Sequence, residues 1–219
     1  MGYNMPMNVR GFTLVEMVVC IAIFAMMTAL LVAKYGTFNQ SVLLTDLAYD
    51  TAITVRTAQT YGLGVQSAGG SNPFNFAYGV DFSTAAPANV LTLFADNYGP
   101  SGPPWNGKPD GMYESGHDLL VSTYTITRGA TVSALCVSNT DGSDCVNNGI
   151  PVSNTTEIGI TFKRPNPDAI IFCVSSAGCV QGTFHTPIRW SYARIFIKGT
   201  DGSIRSITVR DTGQISVQE

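Results

Sequence analysis

The chain has 219 residues, 45% of them hydrophobic and only 12% charged, with 12 Lys or Arg against 15 Asp or Glu for a net charge of −3. So small an imbalance argues against a surface organised around nucleic acid or a strongly charged substrate. The length is ample for one globular domain with a real core in addition to an apolar N-terminal segment.

That segment comes first. Residues 12–32 carry a single charge, Glu16, and contain eleven Leu, Ile, Phe or Val residues. As a helix they span roughly 31 Å, the thickness of a bilayer core. Each large apolar residue favours insertion by about 0.3 to 0.6 kcal/mol, against about 3 kcal/mol for a carboxylate at mid-membrane, so insertion wins. Arg10 and Lys34 flank the run and give no strong orientation signal. A short polar leader, MGYNMPMNVRG, precedes the apolar run, whereas a secretory signal has its apolar region before the cleavage site.

Beyond Lys34 the helical signal continues without proline. Phe38, Val42, Leu47, Tyr49, Ile53 and Ala58 recur at mostly helical intervals, which predicts one long helix over 12–62 with an amphipathic second half and Gly36 as its weak point. The string YGLG ends it. Short β-type runs follow at 77–82, 90–95, 119–127, 157–162 and 169–174, and the last third reads as an antiparallel meander through 193–199, 203–210 and 214–218. Residues 97–111 are too rich in Pro and Gly for regular structure and predict a long surface loop. The expected class is α+β, a long N-terminal helix on an antiparallel sheet, with a globular part over 63–219.

Of five cysteines, Cys20 lies in the apolar run and reads as a small membrane-buried side chain. Cys136, Cys145, Cys173 and Cys179 are an even set in the polar part and suggest two disulfides in an exported domain. Three connectivities are open; 136 with 145 and 173 with 179 close the shortest loops, each contributing roughly 2 to 3 kcal/mol. A four-thiolate zinc site would prefer gaps of about two to four residues, which neither pair has.

Residues 11–16, Gly-Phe-Thr-Leu-Val-Glu, leading into the apolar helix resemble the N-terminus of type IV pilins and pseudopilins across residues 10–34. The resemblance implies that a prepilin peptidase cuts between Gly11 and Phe12 and methylates the new amine. It further implies that the Phe12 ammonium of one subunit pairs with Glu16 of another as helices bundle, each charge offsetting the other's desolvation. Alternatively, Glu16 is an interfacial residue of an ordinary signal anchor. The later segments are similar in layout to GspH-type pseudopilins and FimT-type minor pilins. Many major pilins have Pro where Ala33 stands here, so this helix should be more continuous than theirs. Implied partners are other pilin subunits, the peptidase and the membrane, with a cell-surface filament as the destination.

Other sites are thin. His117 and His185 are the only histidines, and no nucleophile motif accompanies them, so neither catalysis nor a cofactor is expected. Asp96, Asp110 and Asp118 border the long loop, but their spacing fits no calcium template. Arg189, Arg194, Lys198, Arg205 and Arg210 gather basic charge near the C-terminus, where some FimT-type minor pilins capture DNA; overall charge argues against it here. Asn154, Thr155 and Thr156 form a glycosylation triplet of a kind frequent by chance.

Overall fold

A computed structural model describes residues 11–64, 66–67, 76–96, 111–174 and 190–218. The predicted long helix is present as α1, Leu14–Leu63. By its contacts the chain divides into two units, Met1–Gln40 and Ser41–Glu219. In the first, Leu14–Ala33 is long and apolar enough to cross a membrane and none of it is buried.

The second unit begins inside α1, and from there one face of the helix becomes core. Leu44, Leu47, Ala48, Ala52, Val55 and Ala58 are buried, at the three- and four-residue steps of one helical stripe. This corrects the predicted face: Val42, Tyr49 and Ile53 are exposed, and of the expected apolar positions Leu47 and Ala58 are the ones buried. The side chain of Phe38 lies outside the described residues. The inner stripe is thus made of Leu, Val and Ala side chains.

Those neighbours are two antiparallel sheets. The first takes β1 (Ala77–Ser83), β2 (Val90–Asp96), β3 (Leu119–Thr125), β7 (Glu157–Phe162) and β8 (Ala169–Val174) in the order β3-β2-β1-β7-β8. The second takes β4 (Thr131–Ser138), β9 (Tyr192–Lys198), β10 (Ile204–Arg210) and β11 (Ile215–Gln218) in the order β11-β10-β9-β4. A small hairpin pairs β5 (Val146–Asn147) with β6 (Ile150–Pro151). The C-terminal meander is as expected, whereas β4 and the hairpin were not anticipated. Alternation puts Val80, Phe82, Ile158 and Ile160 of the first sheet, and Leu135, Ile195, Ile207 and Val209 of the second, into one cluster with the helix. The loop predicted over 97–111 lies outside the described residues apart from Gly111.

At its C-terminal end α1 meets β7 at backbone distance. Gly62 is buried, its carbonyl accepts the Arg164 amide at 3.0 Å, and a Cβ there would strike the Phe162 carbonyl. Helix propensity favours alanine over glycine by about 1 kcal/mol. Overpacking against fixed backbone costs about 1 to 3 kcal/mol. Gly62→Ala is therefore expected to be net destabilising, by up to about 2 kcal/mol in chemical denaturation, and a raised midpoint would contradict this packing.

Candidate functional site: the N-terminal helix start

The helix begins at Leu14, which makes Thr13 its N-cap and Glu16 the third helical residue. The Thr13 amide and Oγ1 both donate to Glu16 Oε2, each at 2.9 Å, and the Glu16 amide donates back to Thr13 Oγ1 at 3.3 Å. This reciprocal arrangement is a capping box, and Thr-x-x-Glu is its sequence signature. The carboxylate also lies in the first turn, where the helix dipole favours negative charge. No described residue donates to Glu16 Oε1. The signature Thr13-Leu14-Val15-Glu16 is legible in the sequence itself.

Gly11 and Phe12 precede the cap, and both are exposed. Nothing lies within 4 Å of the place where a Gly11 Cβ would be. Exposure of Leu14, Val15, Val18, Ile21, Phe24 and Leu30 leaves the helix apolar in every direction. Such a surface is suited to lipid or to other helices and not to water. Cys20 is a free, exposed thiol on the same stretch.

The remaining candidates have other employment. Cys136 and Cys145 are joined, with Cα atoms 5.6 Å apart. Cys173 is disulfide-bonded as well, and Cys179 lies outside the described residues, as do Asp110, His185 and Arg189. Asp96 Oδ2 accepts the Gly111 amide and Asp118 Oδ2 the Glu114 amide, both at 2.8 Å, so each organises local backbone. Among the described residues no three His, Cys, Asp or Glu side chains are grouped to hold a metal. His117 is exposed.

Among the described basic residues, Arg205 is the one turned inward, whereas Arg194, Lys198 and Arg210 lie on the outer face of the second sheet. Arg205 follows the inward alternation of Ile207 and Val209 and donates to Ser41 Oγ at 2.9 Å and Thr45 Oγ1 at 3.1 Å, fastening β10 to the helix. Arg194 lies on the opposite face, bonded to Ser206 and Gln218 and over the Phe196 ring. Arg210 sits over Tyr192. The Asn154 amide is bonded on both sides to the Val137 backbone, where it closes the edge of β4.

The prokaryotic N-terminal methylation motif matches residues 6–32, so the chain carries the prepilin-type leader of type IV pilins and pseudopilins. The match covers the leader and the apolar helix and no more of the chain. The motif supports a type IV pilin-like protein processed by a prepilin peptidase and implies pilin-type assembly. No curated protein and no solved structure matches the chain.

Loss of an N-cap costs about 0.5 to 2 kcal/mol. Thr13→Ala should accordingly raise amide exchange in the first turn of α1 several-fold in detergent micelles, with the exchange of β9 and β10 unchanged. Equal protection in both proteins would show that the cap contributes nothing.

Proposed function

We propose that this chain is a structural subunit of a type IV pilus or a type II secretion pseudopilus. It is cleaved between Gly11 and Phe12, held in the membrane by Leu14–Ala33, and assembled through that helix with the β-rich domain at the cell surface. The observation that carries this reading is the coincidence of the methylation motif with a helix that is exposed and apolar on every side. Such a helix needs lipid before assembly and neighbouring helices after it. The role is structural and not enzymatic. The uninterrupted run from Leu14 past Ala33 separates it from major subunits that break their helix there.

In this reading Glu16 pairs with the Phe12 ammonium of a neighbouring subunit, using the oxygen that the cap leaves over. A second reading has one specific observation in its favour. Because Thr13 already satisfies Glu16 Oε2, the acid has a purpose within a single chain, and the protein would be an anchored surface domain that never polymerises. The DNA-capturing alternative loses Arg205, which is committed to Ser41 and Thr45.

Two substitutions separate cap from pairing. Glutamine serves a capping box as glutamate does but carries no charge. Pairing predicts that Glu16→Gln enters filaments at least about tenfold less than wild type, while Thr13→Ala enters nearly normally; a factor of ten corresponds to about 1.4 kcal/mol. Immunoblots of sheared filament and membrane fractions would show it. The reverse pattern, with Gln tolerated and Ala excluded, would establish the cap as the purpose. Mass spectrometry of the mature chain should find methylated Phe12 as its first residue, and an intact leader in cells with active peptidase would refute processing.

A further inference from the structure

The five-stranded sheet β3-β2-β1-β7-β8 has an unusual charge inventory. Its strands hold Asp81, Asp96 and Glu157, and not one Lys, Arg or His. Asp96 is occupied at one end of β2 by the Gly111 amide. Asp81 and Glu157 lie together at the other end, on the face turned away from the helix. Asp81 is directly opposite Gly159 of β7 and Thr92 of β2, and Glu157 is two residues from Gly159 on the same side of β7. Such diagonal positions are within reach of long side chains.

The register sets the two carboxyl groups diagonally on one face, within hydrogen-bonding reach of each other. Asp81 is only 8% exposed and its Oδ1 is buried with no hydrogen-bond partner. Glu157 is half-buried. Two bare carboxylates cannot donate to one another, so the contact requires a hydrogen on one of them. An unpaired buried carboxylate would cost several kcal/mol, and the surrounding strands offer no cation to offset it. We propose that Asp81 and Glu157 are a proton-operated latch, joining β1 to β7 through one shared hydrogen and opening when alkali removes it.

The electrostatics of the site agree with this geometry. Burial first, and then the nearby charge of Glu157, push the Asp81 carboxyl up to about 8. Burial also raises Glu157, while its hydrogen bond with Asp81 acts the other way. Among the described residues of this face, Asp96 holds Gly111 and the Tyr113 ring packs on Phe94.

Opening would be felt by the segment crossing the same face. The Gly111 carbonyl and the Met112 sulfur rest on Gly159, the residue opposite Asp81, in space that a Cβ would fill. Two like charges beside Gly159 would attract water beneath that crossing segment.

The sign follows from linkage. In the unfolded chain Asp81 loses its proton near the ordinary 3.8, whereas in the folded chain it keeps it to about 8. The native state therefore binds more protons across that window, so the latch's contribution is complete below about 4 and is lost as pH climbs through about 8. Thermal melting of the full chain in detergent, followed by circular dichroism between pH about 5 and about 9, tests it. The wild type should melt at least about 3 °C lower at the alkaline end. Asp81→Asn, whose amide donates to Glu157 at every pH, should lose less than half of that shift and should melt above the wild type at pH about 9. Parallel losses in the two proteins would overturn the latch. So would calcium chloride restoring the wild type at alkaline pH, since the pair would then be a cation site. Should Asp81→Asn not fold, carboxyl-carbon NMR of the wild type decides: a resonance titrating near 8 is expected, and two carboxyls both titrating below 5 would reject the proposal.

Discussion

Burial of one helical stripe, Leu44 to Ala58, against two sheets at once is the contact on which the globular unit depends. The inner residues of both sheets, and those of the helix, belong to a single cluster. Each sheet needs its apolar face covered, and the stripe of α1 supplies part of that cover for both. The stripe mixes Leu44, Leu47 and Val55 with Ala48, Ala52 and Ala58. At the end of the contact Gly62 brings helix and β7 within backbone range. Arg205 ties the beginning of the contact to β10 at Ser41 and Thr45, where the compact unit starts.

Much of this was legible in the sequence, and the exceptions have physical causes. Strands such as Glu157–Phe162 and Ile204–Arg210 show plain alternation and were read almost to the residue. β4 escaped because a register shift between Val132 and Ala134 breaks its period, so its inward residues run Val132, Leu135, Val137. The β5–β6 hairpin has two residues per strand, too few for any period. Its turn, Asn148-Gly149, has positive φ at both positions, and Asn-Gly is the strongest short hairpin signal available. The wrong helix face has a different origin. Val42, Tyr49 and Ile53 are large and helically spaced, yet the face that joins the core is that of Leu44, Leu47, Ala48, Ala52, Val55 and Ala58, half of it alanine and so weak in hydrophobic signal.

The edge of the second sheet illustrates how polar residues of an apparent surface motif become structural. Asn154 presents its carbonyl oxygen to the Val137 amide and its amide nitrogen to the Val137 carbonyl, at 3.0 and 2.7 Å, reproducing the ladder a neighbouring strand would make. Ser153 does the same service at Leu135. Together they close an edge that could otherwise recruit another chain. The disulfide between Cys136 and Cys145 pins the segment that leaves β4, so the hairpin and the edge plug are held as one piece.

The acid at the start of α1 poses a balance of modest quantities. A carboxylate at mid-membrane costs about 3 kcal/mol on insertion scales, and Glu16 as the third residue of the span incurs only part of that. A capping box returns about 1 kcal/mol, and the favourable end of the helix dipole adds a few tenths. Those local terms come close to making Glu16 tolerable in a solitary chain at the interface. They fall short if the helix is drawn inward among its neighbours, where desolvation deepens and the helix end leaves the headgroups. Only an opposite charge on the free oxygen could then restore the balance. On the proposed assembly reading, the same residue is thus neutral in its effect while the subunit waits in the membrane and demanding once it moves, and the demand is met where a neighbour's amine is available.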